Sequence, residues 1–572
     1  MSKTKDKSER KKIIIKWYLS ICLFFLCVLF FCTIGIEKSL GNLASELPLL
    51  SAKISANNDN SKESDYLVSC WWSEPYESYY LFMPSSVKNQ KVQVIVGGNY
   101  NLLWDGDEIS QGEYLEFAVG AHEVEVIETG EKYVFQVLQS ENLGAVFIET
   151  ESRSMDYVKE IKGNQEAGSM IVLDQSGCLL HKGSMEYIEG RGNTSWNDSD
   201  KKPYEVKLEE NANLFGMGNE KNWLLLANAN DTTGIKNGLV FDMADEVGLA
   251  YTPESEWIDL YINGEYQGNY QLTEKIEIGA ERIDVYDLEA ETRLLNPSID
   301  SGEFSLFTTL YNVGLQSIKG VTLDNNPKDI TGGYLLEIDL DDRYELASSG
   351  FITSRGENVV VSSPSEASRE EVQYISTLYQ GFEDAIYSED GINPDTNLSY
   401  MEYIDMDSFA TKYILEEITK NLDATYTSQY FYKPADYVST KLFAGPVWDY
   451  DKALGIDWEN TGVQLSEPDT FFANVATKES AIWYGLYQQP EFLELVKEIY
   501  QEEYQPYLDN VAETMQNMTD YIEKSLVMNM VRWNMYYELT DEEKEEALET
   551  RVQKIIDFIE QRRVFLDSEW ND

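Results

Sequence analysis

The sequence predicts an α+β protein with a transmembrane helix near its N-terminus and a small all-β domain ahead of a larger mixed domain. Three observations favour this fold class. The chain has 572 residues, which is more than one hydrophobic core usually serves. A run of 20 uncharged residues lies near its start. Beyond it, short strands with period-two alternation give way to a region in which strands and helices intermix.

The composition excludes several classes of enzyme and partner. The chain has two histidines, His122 and His181, and neither lies in a motif of a Ser-His-Asp hydrolase, a Cys-His protease or a His-rich zinc enzyme. With 45 Lys and Arg against 101 Asp and Glu, the formal charge is −56. Because nucleic-acid binding draws most of its affinity from Lys and Arg on phosphates, we expect no nucleic-acid partner.

The N-terminal segment has the pattern of a membrane anchor. Residues 1–16 form a basic tail with a charge of +5, which leaves −61 for the rest of the chain. Residues 17–36 are uncharged, and at about 1.5 Å per residue they can cross a hydrocarbon core of roughly 30 Å. We therefore predict an uncleaved signal anchor, single-pass in the cell membrane, with a cytoplasmic N-terminus and an extracytoplasmic, extracellular bulk. A cleaved signal peptide is the alternative.

Two regions separate this anchor from the larger domain. Residues 37–65 are polar and aperiodic, which predicts a linker. Residues 66–148 contain alternating runs such as KVQVIV and HEVEVIE, which predict an all-β sandwich-like domain that acts as a spacer or adhesion module. Cys70 and Cys178 are the cysteines outside the apolar run, and they either form a disulfide or remain free thiols.

The larger domain, residues 149–490, opens with a loop and a strand that suit phosphate binding. The loop GRGNTSW occupies residues 190–196, and the strand KKPYEVKL follows at residues 201–208. Alternation places Lys207 opposite the apolar face of that strand. A lone strand lysine is usually just solvated. A Gly-flanked loop followed by a strand lysine also grips phosphate, through backbone N–H groups and a point charge.

The rest of the chain alternates irregularly between strands and helices, which favours α+β over regular βαβ units. The pattern predicts a helix over 231–248, a hairpin at Asn263-Gly264 and an irregular insertion over 285–330. Apolar residues at three and four spacing predict that residues 491–572 form a helical C-terminal extension packed on the larger domain.

Carboxylates form a second candidate site. The helix DSFATKYILEEITKNL leads directly into Asp423, and an apolar strand leads into WDYD, which contains Asp449 and Asp451. Aspartates in Asp-x-Asp spacing lie on one side of an extended chain, about 7 Å apart, and suit a hard cation such as Mg²⁺. A pair of turn-forming aspartates is the alternative.

These motifs, taken in order, resemble a known family. Their order and spacing are similar to those of the CotH kinases, the spore-coat-protein-H-like family, over GRGNTSW, KKPYEVKL, LFGMGNEKNWLLLAN, DLYINGEYQGNYQLTEK, NLDATYTSQYFYK and GPVWDYDKALG. The resemblance implies an atypical protein-kinase-like fold of two lobes. It also implies a transferase that passes the γ-phosphate of ATP to Ser or Thr of a protein, here a surface or coat protein, with Mg²⁺ or Mn²⁺ as cofactor.

The resemblance also implies roles for individual residues. Asp423 corresponds to the catalytic aspartate that orients or deprotonates the acceptor hydroxyl. Asp449 and Asp451 correspond to metal ligands, and either can be the primary one. The residues implied in nucleotide binding are Arg191 and Asn193 in the loop, Lys207 as the catalytic lysine, and Lys202 as its runner-up.

Two departures from the kinase pattern leave catalytic activity open. Ser428 stands five residues after Asp423, where kinases commonly carry an asparagine as second metal ligand. The acidic partner of Lys207 is either Glu246 or Glu274. The alternative function is a catalytically degenerate surface or spore-coat assembly or adhesion protein. A glycoside hydrolase ranks third, since carboxylates are abundant throughout this chain.

Overall fold

We describe the protein from a computed structural model, which covers residues 48–56, 65–98, 100–309, 315–455, 467–474, 481–535 and 540–571. Two compact units divide this part of the chain. The bulk of the first is residues 65–83 and 87–138, and the bulk of the second begins at Gln139. The predicted membrane helix over 17–36 lies outside the described residues, and none of the described helices is long and apolar enough to cross a membrane.

The first unit is all β. One sheet has four strands in the order β2-β1-β5-β8, and the other has six in the order β3-β4-β10-β9-β6-β7. The strands are β1 (Leu50–Ser55), β2 (Asp65–Ser69), β3 (Trp71–Ser73), β4 (Ser78–Met83), β5 (Val92–Val96), β6 (Leu102–Trp104), β7 (Asp107–Ile109), β8 (Tyr114–Leu115), β9 (Gly120–Val126) and β10 (Glu131–Gln139).

Strand β1 lies inside the segment that the sequence predicts as a linker. It pairs antiparallel with both β2 and β5. Leu50, Ala52 and Ile54 alternate onto a buried face, which gives this short stretch enough apolar surface to join the sheet. The structure forms no disulfide between Cys70 and Cys178, which decides between the two alternatives that the sequence left open.

The second unit begins with a closed seven-stranded barrel. Its strands are β11 (Gly144–Thr150), β12 (Glu166–Leu173), β13 (Leu179–Gly190), β14 (Tyr204–Asn213), β15 (Asn219–Leu226), β16 (Ser255–Ile262) and β17 (Glu265–Glu274). They follow the order β11-β12-β13-β14-β15-β17-β16, and a parallel pairing of β11 with β16 closes the ring. Val146, Val206 and Trp223 join one buried apolar cluster.

Two barrel features bear on the predictions. The sequence groups residues 144–148 with the β domain, whereas the structure places them in β11, the first barrel strand. The predicted hairpin is confirmed. Asn263 and Gly264 link β16 to β17 with φ angles of 52° and 86°, the left-handed conformation that a tight two-residue turn requires.

A seven-stranded sheet follows the barrel in the same unit. It has the order β18-β19-β21-β22-β20-β23-β24. The predicted insertion over 285–330 supplies the edge strand β18 and its neighbour β19. The strands are β18 (Ser305–Thr309), β19 (Ser317–Thr322), β20 (Tyr334–Ile338), β21 (Gly350–Ile352), β22 (Asn358–Ser363), β23 (Gln429–Lys433) and β24 (Phe443–Ala444).

Helices surround this sheet and share its core. Phe409, Tyr413, Phe431 and Trp570 belong to one buried cluster, so the C-terminal helices are part of the same core as the sheet. The helices are α1 (Asp156–Glu160), α2 (Thr194–Asp198), α3 (Lys236–Glu246), α4 (Leu288–Leu295), α5 (Asp341–Leu346), α6 (Arg369–Ile386), α7 (Met406–Thr419), α8 (Ala481–Tyr487), α9 (Pro490–Ile499), α10 (Gln505–Leu508), α11 (Val511–Arg532) and α12 (Asp541–Trp570).

Candidate active site

A cleft of about 210 Å³ lies in the second unit, at the end of the barrel where β13 and β15 terminate. One wall consists of the loop after β13 and the segment Ala227–Asn230 after β15. The facing wall consists of segments that follow α7 and β24. The cleft therefore brings together the two groups of motifs that stand far apart in the sequence.

Asp423 reaches the cleft because α7 ends abruptly just before it. Lys420 caps the helix in a left-handed conformation, with a φ of 44°. The chain then forms a short 3₁₀ turn, Leu422–Thr425, in which the Asn421 side chain accepts a hydrogen bond from the Asp423 N–H at 3.2 Å. The side chain of Asp423 is 4% exposed. This turn presents the carboxylate to the cleft while it fixes the backbone that carries it.

Asp449 and Asp451 follow β24 and flank a buried tyrosine. The hydroxyl of Tyr450 donates to Glu416 Oε1 at 2.7 Å, and its backbone N–H donates to Asn237 Oδ1 at 2.8 Å. Glu416 also pairs with Lys412 at 2.5 Å, and both side chains are fully buried. Because Tyr450 is held from α3 and α7, the two aspartates on either side of it have fixed positions.

The backbone near these aspartates is strained. Asp449 and Ser428 have φ angles of 65° and 55°, a region that residues with a Cβ adopt at a cost. The Ser428 hydroxyl donates to the Asp449 carboxylate, and Asn230 Nδ2 donates to Asp451 Oδ2 at 2.8 Å. Hydroxyl and amide groups thus surround the carboxylate pair.

The three cleft aspartates have raised pKa values. Burial is the main cause for each one, and it raises the pKa of Asp423 and of Asp449 to about 6 and that of Asp451 to about 7. Mutual repulsion adds to the rise: Asp451 acts on Asp423, Asp423 on Asp449, and Asp449 on Asp451. The ammonium of Lys452 opposes the rise at all three.

Two cations line the cleft beside the aspartates. Arg191 stacks on Trp448, with its guanidinium carbon 5.3 Å from the ring centre, and it lowers the pKa of Asp449 against the effect of burial. Lys452 follows Asp451 directly, and its ammonium lies 3.5 Å from Thr194 Oγ1 in the opposite wall. An anionic ligand in the cleft would lie within reach of both.

The structure brings six of the eight predicted site residues to the cleft and leaves two outside it. The six are Arg191, Asn193, Asp423, Ser428, Asp449 and Asp451. Lys207 lies on the outer wall of the barrel, where its ammonium pairs with Glu186 at 2.7 Å. The ammonium of Lys202 donates to the Trp196 carbonyl at 2.5 Å. Of the two acidic partners considered for Lys207, Glu274 instead pairs with Arg282 at 2.5 Å.

Three cleft residues escape the sequence analysis. Asn230 lies outside the quoted motifs, whereas Lys452 lies inside GPVWDYDKALG, directly after Asp451, and is given no role there. Glu337 lies on β20, inside a run that indicates only a strand. Burial raises the pKa of Glu337 to about 8, and the negative charges of Asp339 and Asp449 contribute.

The donor groups fit a hard divalent cation. Across the described ranges, no group of three or more His, Cys, Asp or Glu side chains is placed to hold a metal ion. The cleft offers two carboxylates, Asp449 and Asp451, with the hydroxyl of Ser428 and the amide of Asn230 beside them. Such a set suits Mg²⁺, which commonly takes one or two protein carboxylates and completes its shell with water and substrate phosphates.

The chain is a mixed α/β protein whose cleft combines buried carboxylates with two cationic side chains. A family model described as CotH kinase protein matches residues 188–566, a range that includes all the cleft residues. The chain therefore belongs to the CotH kinase family, and the resemblance read from the sequence motifs is confirmed. None of the curated proteins matches the chain.

Proposed function

We propose that this CotH-family protein is a divalent-metal-dependent kinase that transfers the γ-phosphate of ATP to Ser or Thr of a protein. One observation carries the proposal: a single cleft holds an isolated buried aspartate, a pair of aspartates and two cations. In phosphoryl transfer the protein mainly positions the reactants and offsets the charge of the phosphates, and these residue types do both.

Asp423 has the properties of the group that receives the acceptor proton. The oxygen of the acceptor hydroxyl would form a bond to the γ-phosphorus while the bond from that phosphorus to the ADP oxygen breaks. The hydroxyl proton would pass to the Asp423 carboxylate. A pKa of about 6 leaves most of this carboxylate ionised at neutral pH, and Tyr426 donates a hydrogen bond that orients it.

Asp449 and Asp451 would hold Mg²⁺ or Mn²⁺, which when bound offsets the charge of the phosphates. Burial and mutual repulsion disfavour two ionised carboxylates in the empty cleft. A bound cation reverses that preference, because it stabilises the ionised form of each ligand. Ser428 and Asn230 would hold the two carboxylates in place through the hydrogen bonds already described.

Arg191 and Lys452 are the cations we assign to the nucleotide phosphates. Both line the cleft, whereas Lys207 and Lys202 do not. Asn193 belongs to the same wall, where its side-chain oxygen accepts a hydrogen bond from Lys162 at 2.8 Å. That contact orders the loop over the phosphates.

Labelled ATP tests the proposal on the detergent-solubilised full-length chain. We expect transfer of ³²P to a Ser/Thr protein acceptor or to the chain itself, dependent on Mg²⁺ or Mn²⁺. The Asp449→Ala/Asp451→Ala double variant should lose both transfer and the thermal stabilisation that ATP with metal provides. A wild-type chain that ATP with metal does not stabilise would refute the proposal. Binding without transfer would instead favour the assembly or adhesion role.

We further propose that residues 17–36 anchor the protein in the cell membrane, with the cleft outside the cytoplasm and a surface or coat protein as substrate. The basic flank and the length of the uncharged run support this topology. Fractionation and protease protection of intact cells test it: the second unit should be digested from outside. A protected second unit in the soluble fraction would contradict the anchor.

A further inference from the structure

Arg562, on the C-terminal helix α12, is fully buried and uses its guanidinium to join three segments. Its Nε donates to the Glu417 carbonyl at 2.7 Å, and its Nη2 donates to Glu417 Oε2 at 2.8 Å. Its Nη1 donates to the carbonyls of Pro468 and Thr470 at 2.9 and 2.6 Å. The planar guanidinium matches several acceptors at fixed angles, which an ammonium cannot do.

Glu417 completes the junction from the side of α7. Its carboxylate is also fully buried, and besides Arg562 it accepts the backbone N–H groups of Phe472 at 2.9 Å and of Asn474 at 3.2 Å. Glu417 lies in the last turn of α7, the helix that leads into Asp423. The ion pair therefore fixes residues 467–474 against the base of the segment that carries the proposed proton acceptor.

Phe472 connects residues 467–474 with the turn that carries Asp423. Its ring packs in one small cluster with Leu422 and Ala424, the two residues that flank Asp423, and with Tyr426. Tyr426 is also the residue that donates a hydrogen bond to the Asp423 carboxylate. The contact thus reaches both the backbone of the 3₁₀ turn and the side chain that orients the carboxylate.

Two more contacts hold the same turn from the same direction. The indole N–H of Trp483 donates to the Ala424 carbonyl at 3.2 Å. The ammonium of Lys420 donates to the Glu467 carbonyl at 2.6 Å and to Thr470 Oγ1 at 3.0 Å. Residues 467–474 therefore contact Lys420 and the 3₁₀ turn that follows it, and Arg562 anchors them.

We propose that Arg562 is a positioning residue for Asp423, which acts through residues 468–472 and the ring of Phe472. The proposal rests on the proposed kinase function for its kinetic consequence, but its structural consequence stands apart from any activity. Arg562 touches neither the cleft nor a reacting group. Its effect should therefore appear in the order of the 3₁₀ turn and in kcat, and not in the affinity for ATP with metal.

The experiment compares four single variants with the wild-type full-length chain. Arg562→Gln removes the ion pair, and Arg562→Lys keeps the charge without the fork of donors. Phe472→Ala breaks the last contact in the path without touching α12. Arg563→Gln is the matched control, because this neighbouring arginine is 30% exposed and pairs with Asp509 at 2.6 Å, away from the turn.

Hydrogen exchange of the peptide that spans residues 421–426 gives the structural readout. We expect faster exchange in Arg562→Gln and in Phe472→Ala, an intermediate rate in Arg562→Lys, and no change in Arg563→Gln. In the transfer assay, kcat should fall roughly tenfold to a hundredfold in the first two variants with an unchanged KM for ATP, because small misplacements of catalytic groups have effects of that size.

Each outcome decides the proposal. Unchanged exchange at 421–426 in Arg562→Gln or in Phe472→Ala would overturn it, since α12 would then serve stability alone. A fall in ATP affinity equal to the fall in kcat would also overturn it. If Arg562→Gln does not fold, two other comparisons test the proposal. Arg562→Lys should exchange faster than the wild type at residues 421–426. Phe472→Leu, a conservative change, should restore the slow exchange that Phe472→Ala loses. If the wild-type chain transfers no phosphate, the proposed function fails while the exchange result still tests the positioning role.

Discussion

The carboxylates and the cations of the cleft were predictable from sequence to different degrees. The acidic side consists of Asp423, Asp449 and Asp451, all three of which the motifs identify. The basic side consists of Arg191, which the motifs also identify, and Lys452, whereas the sequence favours Lys207 in its place. Motifs identify the aspartates, although Asp449 adopts a left-handed conformation and not the extended chain that its spacing predicts. Alternation tells which face of its strand a lysine occupies. It does not tell whether that face borders the cleft, because the position of the cleft depends on how the whole barrel folds.

The fate of Lys207 shows the physical reason. Alternation correctly places it opposite the apolar face of β14, but that apolar face fills the barrel interior. The opposite face is then the outer wall of the barrel, where Glu186 pairs with the lysine. The cleft lies instead at the barrel end, which the loops reach and the middle of a strand does not.

The largest expected effect lies on the acidic side. Asp423→Asn should lower kcat about 10²- to 10⁴-fold, the usual contribution of a general base. Its KM for ATP should change little, because Arg191 and Lys452, the cations assigned to the phosphates, are unchanged. Steady-state transfer of labelled phosphate measures both constants. The wild-type kcat should also decline as the pH falls through about 6, where Asp423 becomes protonated. A wild-type kcat in Asp423→Asn would show that Asp423 does not act in the reaction.

A paired substitution on the basic side should have the next largest effect. Lys452→Ala should weaken binding of ATP with metal about tenfold to a hundredfold, the value of a charge-assisted hydrogen bond. Lys207→Ala, its matched control, should bind ATP as the wild type does, because an exposed ion pair contributes little. Thermal-shift titration gives both constants. Weaker ATP binding in Lys207→Ala, with unchanged binding in Lys452→Ala, would instead indicate a phosphate site on the outer wall of the barrel.

The smallest expected effect concerns stability without metal. The pKa of Asp451 is raised to about 7 in the fold, so the folded state loses stability as the pH rises from about 4, where the unfolded chain releases this proton, to about 7, and loses no more above that value. Asp451→Asn cannot ionise and should therefore be more stable than the wild type at pH 8 by on the order of 2 kcal/mol, with the gain lost at pH 4. Chemical unfolding with a chelator present measures this difference. Equal stability at both pH values would contradict it.

The sequence allowed the family and the aspartates of the cleft to be predicted better than the boundaries of the elements. The aspartates, the Asn263-Gly264 hairpin and the family were all accessible from local patterns. The predicted helix over 231–248 begins at Lys236, because the carboxylate of Asp231 accepts the N–H groups of Thr233 and Lys236 and holds the preceding residues in a turn. Strand β1 was missed because its alternation covers only six residues, LSAKIS, inside a stretch that is otherwise polar and aperiodic. Lys452 was missed because its role depends on Thr194 in the opposite wall.

The contact of Arg562 with Glu417 has a consequence for the order of events in the life of the chain. The two residues are 145 positions apart. A ribosome therefore completes the helix that carries Asp423 well before it reaches the arginine that holds that helix to residues 467–474. During this interval the turn at Asp423 lacks its anchor. A chain that crosses a membrane in extended form would again lose the contact between Arg562 and Glu417. We expect full activity to appear only after the C-terminal helix has docked, which makes docking of α12 the step that ends maturation.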